Sequence, residues 1–130
     1  MKSIAEKLLI KPGVSLWSSQ PDRLHLLGPL PAGVTAVELP STAAVAIVFA
    51  DDAVSVRGSL AKHGDALVAP EVLWVAYPKA NRTDINRDSL WPILAEHGMR
   101  PIGQVAIDDE WSALRFRPLK DGEAPFTGRR

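Results

Sequence analysis

Four short stretches of this chain gather residues able to do chemistry: Ser18-Ser19-Gln20, Asp51-Asp52, Tyr77-Pro78-Lys79 and Asp108-Asp109-Glu110. Each follows a segment that reads as an apolar strand. In an open α/β sheet, ligands bind beyond the carboxyl ends of the parallel strands, near the point where strand order reverses. If these strands run parallel, the four stretches line one edge. Taken singly, each also reads as ordinary turn and capping chemistry. Lys79 follows a strand and a proline that fixes its approach, so it can meet an anionic ligand. It can equally form a salt bridge to Asp108 or Asp109 that staples two strand ends, and the staple is favoured because paired charges are often structural. Asn81, Arg82 and Arg87 can add phosphate contacts, although their loop lacks the glycine-rich backbone cradle usual at phosphate sites.

Other chemistries find less support. Asp51, Asp52, Asp108, Asp109 and Glu110 are oxygen ligands of the kind Mg²⁺ prefers, but they show no DxDxDG spacing and serve equally well as helix caps and turn residues. His25, His63 and His97 form no HxH or HExxH spacing, and the chain has no cysteine, so neither a zinc site nor a thiol nucleophile is expected. No GxSxG elbow supports a serine triad. No catalytic or metal-binding residue is therefore assigned. Trp17 and Trp74 read as core, whereas Trp111 is either a ligand platform or an edge residue with a hydrogen-bonded indole.

Charge balances at 15 basic and 15 acidic residues, which removes the broad attraction that non-specific nucleic-acid binding uses. The first residues, Met1-Lys2-Ser3-Ile4-Ala5-Glu6-Lys7, lack a signal-peptide apolar region, and no apolar run approaches a membrane span. A cytoplasmic protein without nucleic-acid or membrane partners is expected.

The elements that must position these residues follow from pattern. Ser3 and Glu6 form a capping box that opens a short helix, stopped by Pro12-Gly13. Residues 14–17 are a strand and 22–27 a short helical stretch. Residues 34–39 and 44–50 are further strands, the latter apolar throughout, as for a strand covered on both faces. Asp51-Asp52 then caps a helix running to about Leu67, with Val56, Leu60 and Ala61 at helical spacing. Residues 72–77 form another apolar strand. A helix follows near 89–97, with Pro92 close to its first turn and Gly98 suited to its C-terminal cap. Residues 102–107 and 112–116, separated by Asp108-Asp109-Glu110-Trp111, form an antiparallel hairpin. A tail over 118–130, rich in Gly, Pro and charge, frays from a single domain over 1–117. The pattern predicts a three-layer α/β sandwich with a mostly parallel sheet and an antiparallel C-terminal hairpin. One link resists it: about four residues join Leu39 to Ala44, where a parallel crossover usually takes ten or more. Either the second strand is antiparallel or very short, or a connecting helix is missing.

Three stretches carry a resemblance: residues 5–13 (AEKLLIKPG), 73–79 (LWVAYPK) and 111–116 (WSALRF). In this order and spacing they resemble the bacterial domain-of-unknown-function family 3052, most specifically in WVxxPK followed some thirty residues later by WSAxR. That family implies no activity. A weaker likeness is to class I S-adenosylmethionine-dependent methyltransferases. It implies a Rossmann-like fold, with Lys11 to Leu16 leading into the first strand and the terminal hairpin matching a reversed last strand. Glu38 stands where an acidic residue would hold the cofactor's ribose, and Tyr77-Pro78 where a fourth-strand motif would lie. The glycine-rich turn after the first strand is replaced by Ser18-Ser19-Gln20-Pro21, whose side chains would crowd the cofactor. Cofactor binding is therefore expected to be lost, and no cofactor is expected.

The leading expectation is a non-catalytic, Rossmann-like relative of methyltransferases that binds a small molecule or a protein partner. Its ligand-binding candidates are Ser18, Ser19, Glu38, Tyr77, Lys79, Asp108, Asp109 and Trp111. One alternative is an active enzyme on small acidic or phosphorylated substrates, with Lys79 as anchor and Asp108 or Asp109 as general base. The other is a homodimer, paired through an exposed strand around Ser112 to Phe116.

Overall fold

A computed structural model describes residues 3–125. Their elements, in chain order, are α1 (Ile4–Lys7), β1 (Ser15–Ser18), β2 (Thr35–Ala36), β3 (Val45–Phe49), α2 (Ala53–His63), β4 (Val72–Pro78), α3 (Arg87–Ala95), β5 (Met99–Ala106) and β6 (Trp111–Pro118). Short 3₁₀ segments at Pro21–Leu27, Pro40–Thr42 and Gly64–Val68 complete the connections. The six strands form one sheet in the order β2-β1-β3-β4-β6-β5. β1 to β4 are mutually parallel, and β6 runs antiparallel between β4 and β5. The protein is thus an α/β sandwich with a mostly parallel sheet and an antiparallel C-terminal hairpin, as its pattern predicts.

Alternation along the strands sends two sets of side chains into two cores. Trp17, Ala46, Val48, Leu73, Val75, Tyr77, Leu114 and Phe116 face Val56 and Leu60 of α2 and Leu90, Ile93 and Leu94 of α3. Leu16, Val45, Ile47, Phe49, Val72, Trp74 and Ala76 face Ala5 and Leu8 near α1, and Leu27. Every residue of β3 and β4 is buried, which explains their unbroken apolar runs. Trp17 and Trp74 are core residues on opposite faces, and the buried Trp74 indole donates to the Leu8 carbonyl at 2.8 Å.

The short link is resolved by the length of β2. That strand has only two residues, and it is parallel. Ala36 at its end and Val45 at the start of β3 both pair with Leu16. The chain therefore need not travel back along the strand direction. It crosses one strand sideways, roughly 10 Å at normal strand spacing, and the 3₁₀ turn Pro40–Thr42 suffices. Val37 still donates its N–H to the Leu16 carbonyl at 2.9 Å, and Glu38 and Leu39, also read from sequence as strand, lie beyond the pairing.

Other boundaries also shift. α1 stops at Lys7, and Leu9 takes φ 64°, ending the helix before Pro12. The helix read as reaching Leu67 ends at His63 and tightens into a 3₁₀ segment. α3 begins at Arg87, because Asn86 caps it through the Asp88 and Ser89 N–H groups, so Pro92 lies inside the helix rather than near its first turn. Gly98, at φ 74°, turns the chain into β5. The strand at 112–116 is not exposed: β6 is paired on both sides, and the edge of the sheet is β5. That edge is interrupted by Pro101, which has no N–H to offer, and by a register shift between Pro101 and Gly103, two devices that discourage edge-to-edge pairing.

Of the tail expected over 118–130, residues 126–130 lie outside the described residues. Within the rest, Glu123 accepts from Arg117 at 2.7 and 2.8 Å, from Arg100 at 2.8 Å and from the Lys120 N–H at 2.9 Å. Among the described residues, no helix is long and apolar enough to cross a membrane.

Candidate functional site

β1, β3, β4 and β5 all point the same way, so the four stretches singled out by residue type do share the carboxyl edge of the sheet. Strand order reverses between β1 and β3, since the chain goes from β1 outward to β2 and then returns to the other side of β1. That pair of strand ends is where a doubly wound sheet offers a crevice.

A crevice of about 260 Å³ lies there, lined by Ser19, Gln20, Phe49, Ser55, Gly58, Ser59, Lys62 and His63. The α2 residues fall at positions i, i+3, i+4, i+7 and i+8, which places them on one side of the helix, beside the apolar side formed by Val56 and Leu60. Lys62 is the formally charged residue of the lining, and no carboxylate joins it. His63 meets the Trp17 ring edge-on at 4.7 Å, and burial together with the Lys62 charge holds its pKa below the ordinary 6.5.

Two sets of hydrogen bonds engage the polar groups at the ends of this crevice. First, the turn after β1 is bonded across to β3. Ser19 Oγ accepts the Phe49 N–H at 2.8 Å, Gln20 Nε2 donates to the Phe49 carbonyl at 3.4 Å, and the Ser19 N–H donates to Ile47 O at 3.0 Å. Ser18, buried beneath, accepts from the Gln20 N–H and tightens the turn. Second, the N-terminus of α2, the usual anion seat, is taken by carboxylates. Asp52 accepts the Ser55 N–H and Asp84 accepts the Ala53 N–H, both at 2.8 Å.

A second cavity, of about 270 Å³, opens at the end of β4. Tyr77, Pro78, Lys79, Ala80, Asn81, Asn86, Arg87, Gln104 and Ser112 line it. The Gln104 amide donates to Tyr77 OH at 2.9 Å and to Ser112 Oγ at 3.3 Å, and Ser112 in turn donates to the Val105 carbonyl. Ala80 and Asn81 are consecutive left-handed residues, at φ 64° and 54°. The Asn86 amide donates to Asn81 Oδ1 at 2.9 Å.

Lys79 makes no ion pair with Asp108 or Asp109. The staple between the ends of β4 and β6 is built instead from the Lys79 N–H donating to the Glu110 carbonyl at 2.8 Å and from Arg82, which donates to the Lys79 and Glu110 carbonyls. Asp108 accepts the Glu110 and Trp111 N–H groups at 2.7 Å and serves the hairpin turn, in which Asp109 is exposed. Trp111 lies on the other face of the sheet. The Arg23 guanidinium sits 5.0 Å above its ring and forms a two-pronged pair with Asp51, at 2.8 and 3.2 Å. Glu38 is exposed past β2 and lines neither cavity. The eight sequence candidates thus separate. Ser19 faces the crevice with Ser18 below it, Tyr77 and Lys79 face the second cavity, Asp108 and Asp109 shape a turn, and Glu38 and Trp111 stand apart.

Residue type did not single out Ser55, Ser59, Lys62 and His63. Their signal was available as a polar stripe at helical spacing between capping Asp52 and Gly64. Gln104 carried no such signal, since its place opposite Tyr77 depends on strand register. Among the described residues, no three histidine, aspartate or glutamate side chains gather as a metal set.

No protein-family model matches the chain, and no curated protein matches it. Solved structures do. A Streptococcus agalactiae protein of the NADB-Rossmann superfamily superposes with a TM-score of 0.59 at 11% identity, over 98% of this chain and 71% of that one. A Streptococcus pneumoniae protein described as a candidate tRNA (m1A22) methyltransferase superposes with a TM-score of 0.56 at 11% identity, over 98% and 73%. At such identities the likeness concerns the fold, which is Rossmann-like and similar to that of methyltransferases.

Proposed function

We propose that this protein is a non-catalytic binding protein on a methyltransferase-like framework. Its ligand is a small polar molecule carrying one negative charge, held in the crevice at the β1–β3 reversal. The observation that carries this reading is the bonding of Ser19 and Gln20 to Phe49. Where a cofactor-binding turn would leave backbone exposed, these side chains satisfy the end of β3 and occupy the approach. The residues present do not fit S-adenosylmethionine: the turn has no glycine, Glu38 lines neither cavity, and the amino end of α2 is held by Asp52 and Asp84. What remains is a polar groove of hydroxyls, an amide, His63 and Lys62.

The likeness to domain-of-unknown-function family 3052, which no family model supports, adds no activity to this reading. Its two most specific stretches are neighbours in space. Residues 73–78 of β4 pair antiparallel with 111–116 of β6, so Pro78 opposes Trp111 and Trp74 opposes Arg115.

Isothermal titration with S-adenosylmethionine and S-adenosylhomocysteine tests the loss of the cofactor, and the expected result is no binding at micromolar concentrations. Micromolar affinity for either sinks the proposal. A panel of nucleosides and small carboxylates, followed through the His63 ring resonances and Trp17 fluorescence, tests the crevice. Occupants should perturb both reporters, and Ser59→Leu, which fills the groove, should abolish the response while leaving the protein folded.

A further inference from the structure

We infer that the cavity at the end of β4 is a second, separate binding site, specific for a phosphate monoester. Its first support is a charge imbalance. Lys79 and Arg87 both line the cavity, no aspartate or glutamate does, and neither cation has an ion-pair partner among the described residues. This is not for want of acids nearby. Asp84 accepts the Ala53 N–H, Asp108 accepts two turn N–H groups, and Glu110 faces Arg82. Asp88 follows Arg87 on α3, turned about 100° round the helix axis, and is not part of the lining. Asp84, Asp108 and Glu110 are engaged elsewhere, Asp88 and the exposed Asp109 lie outside the lining, and two cations are left facing the same space.

The second support is the disposition of the neutral donors. Asn81 Oδ1 accepts from Asn86, which fixes the amide and leaves both Asn81 N–H bonds to spend. Tyr77 OH accepts from Gln104, so its own proton is free to donate from the buried floor of the cavity. Donors thus come from the floor, the loop, the start of α3 and the β4 exit. A tetrahedral phosphoryl group, with three terminal oxygens, meets donors from several directions better than a planar carboxylate does.

The third support is the backbone. A residue with a Cβ disfavours positive φ, alanine more strongly than asparagine. Ala80 and Asn81 adopt this conformation at the rim of the cavity. Strain of that kind persists where the surroundings hold it, and it collects at ligand clamps. The site stands independently of the β1–β3 crevice, with which it shares no lining residue.

Two-dimensional amide NMR of the folded protein, titrated at low ionic strength with inorganic phosphate, phenyl phosphate and benzoate, tests the inference. Saturable shifts are expected at Lys79, Ala80, Asn81, Arg87 and the Gln104 side-chain amide, with phenyl phosphate binding at millimolar affinity or better and benzoate much more weakly. Lys79→Ala and Arg87→Ala should each weaken phenyl phosphate about tenfold or more, a loss typical of a charge-assisted bond. Lys79→Arg should retain binding, and Lys62→Ala in the crevice should leave it unchanged. Circular dichroism checks that each variant is folded. Shifts that fail to saturate, affinities indifferent to both Lys79→Ala and Arg87→Ala, or benzoate binding as tightly as phenyl phosphate would each overturn the inference. If inorganic phosphate alone binds, the organic part is not recognised and the monoester assignment falls.

Discussion

Ser19 illustrates how one hydroxyl decides what an edge can do. Phe49 is the last residue of β3, and its N–H points toward β1, where the strand has already ended. The Ser19 hydroxyl supplies the missing acceptor at 2.8 Å. Ser19→Ala would leave a partly buried N–H without its partner, at a cost of about 1–3 kcal/mol. Urea unfolding should show this as a lower midpoint with an unchanged slope. A change of only a few tenths of a kcal/mol would mean that water replaces the hydroxyl and that the turn is not closed. Gly33 shows another kind of necessity. It sits at φ 77°, and a Cβ there would come within 3.4 Å of the Gly13 backbone. A Cβ fits at that distance, so it is the left-handed backbone rather than space that favours glycine here.

At the scale of elements, α2 joins the two halves of the carboxyl edge. One side of it packs Val56 and Leu60 into the core, and another presents Ser55, Ser59 and Lys62 to the crevice. Its amino end is fastened twice, by Asp52 from its own chain start and by Asp84 from the loop before α3. Asp52→Ala removes the N-cap and should cost about 1 kcal/mol. Thermal unfolding measures it, and Asp52→Asn should recover most of the loss because the amide oxygen still accepts. No recovery would show that charge against the helix dipole, rather than the cap bond, carries the effect. β2 and β5 bound the sheet in different ways. β2 is only two residues long, and β5 is broken by Pro101 and its register shift.

At the scale of the whole molecule, the segment that follows β6 is tied back to the hairpin by one carboxylate. Glu123 binds Arg117 on β6 and Arg100 on β5, and hydrogen bonding from Arg117 above all holds its pKa far below the ordinary 4.5. When the folded pKa of an acid is depressed, the unfolded chain takes up the proton first as pH falls. The contribution to stability is therefore complete above about pH 4.5 and is lost progressively below it. Melting temperatures followed from pH 6 to 3 should fall less steeply in Glu123→Gln than in the wild type. Identical slopes would remove Glu123 from the acid response. His63 acts in the same sense at higher pH. Its folded pKa lies below 6.5, so its protonation favours the unfolded chain as pH falls below that value, and its ring resonances give its share separately.

Much of this arrangement was legible in the residues. The apolar runs of β3 and β4, the hairpin turn at Asp108 to Trp111 and the capping residues Ser3 and Asp52 are local signals, because periodicity and turn chemistry act over a few residues, whereas Gly98 turns the chain two residues past the Glu96 cap. The sharing of one edge by Ser19, Asp51, Lys79 and Asp108 also followed, given parallel strands. The length of β2 was not legible, since nothing local distinguishes a paired residue from an extended unpaired one at Glu38 and Leu39. Nor was the choice of ion-pair partners. Asp84, Asp108 and Glu110 are claimed by a helix end, a turn and Arg82, and only the folded chain determines which claim prevails. The sequence by itself determined that the turn after β1, Ser18-Ser19-Gln20-Pro21, carries no glycine. Tertiary structure decided what those side chains do: Ser19 and Gln20 bond across to Phe49 at the end of β3, because the parallel pairing of β1 and β3 brings the two strand ends side by side.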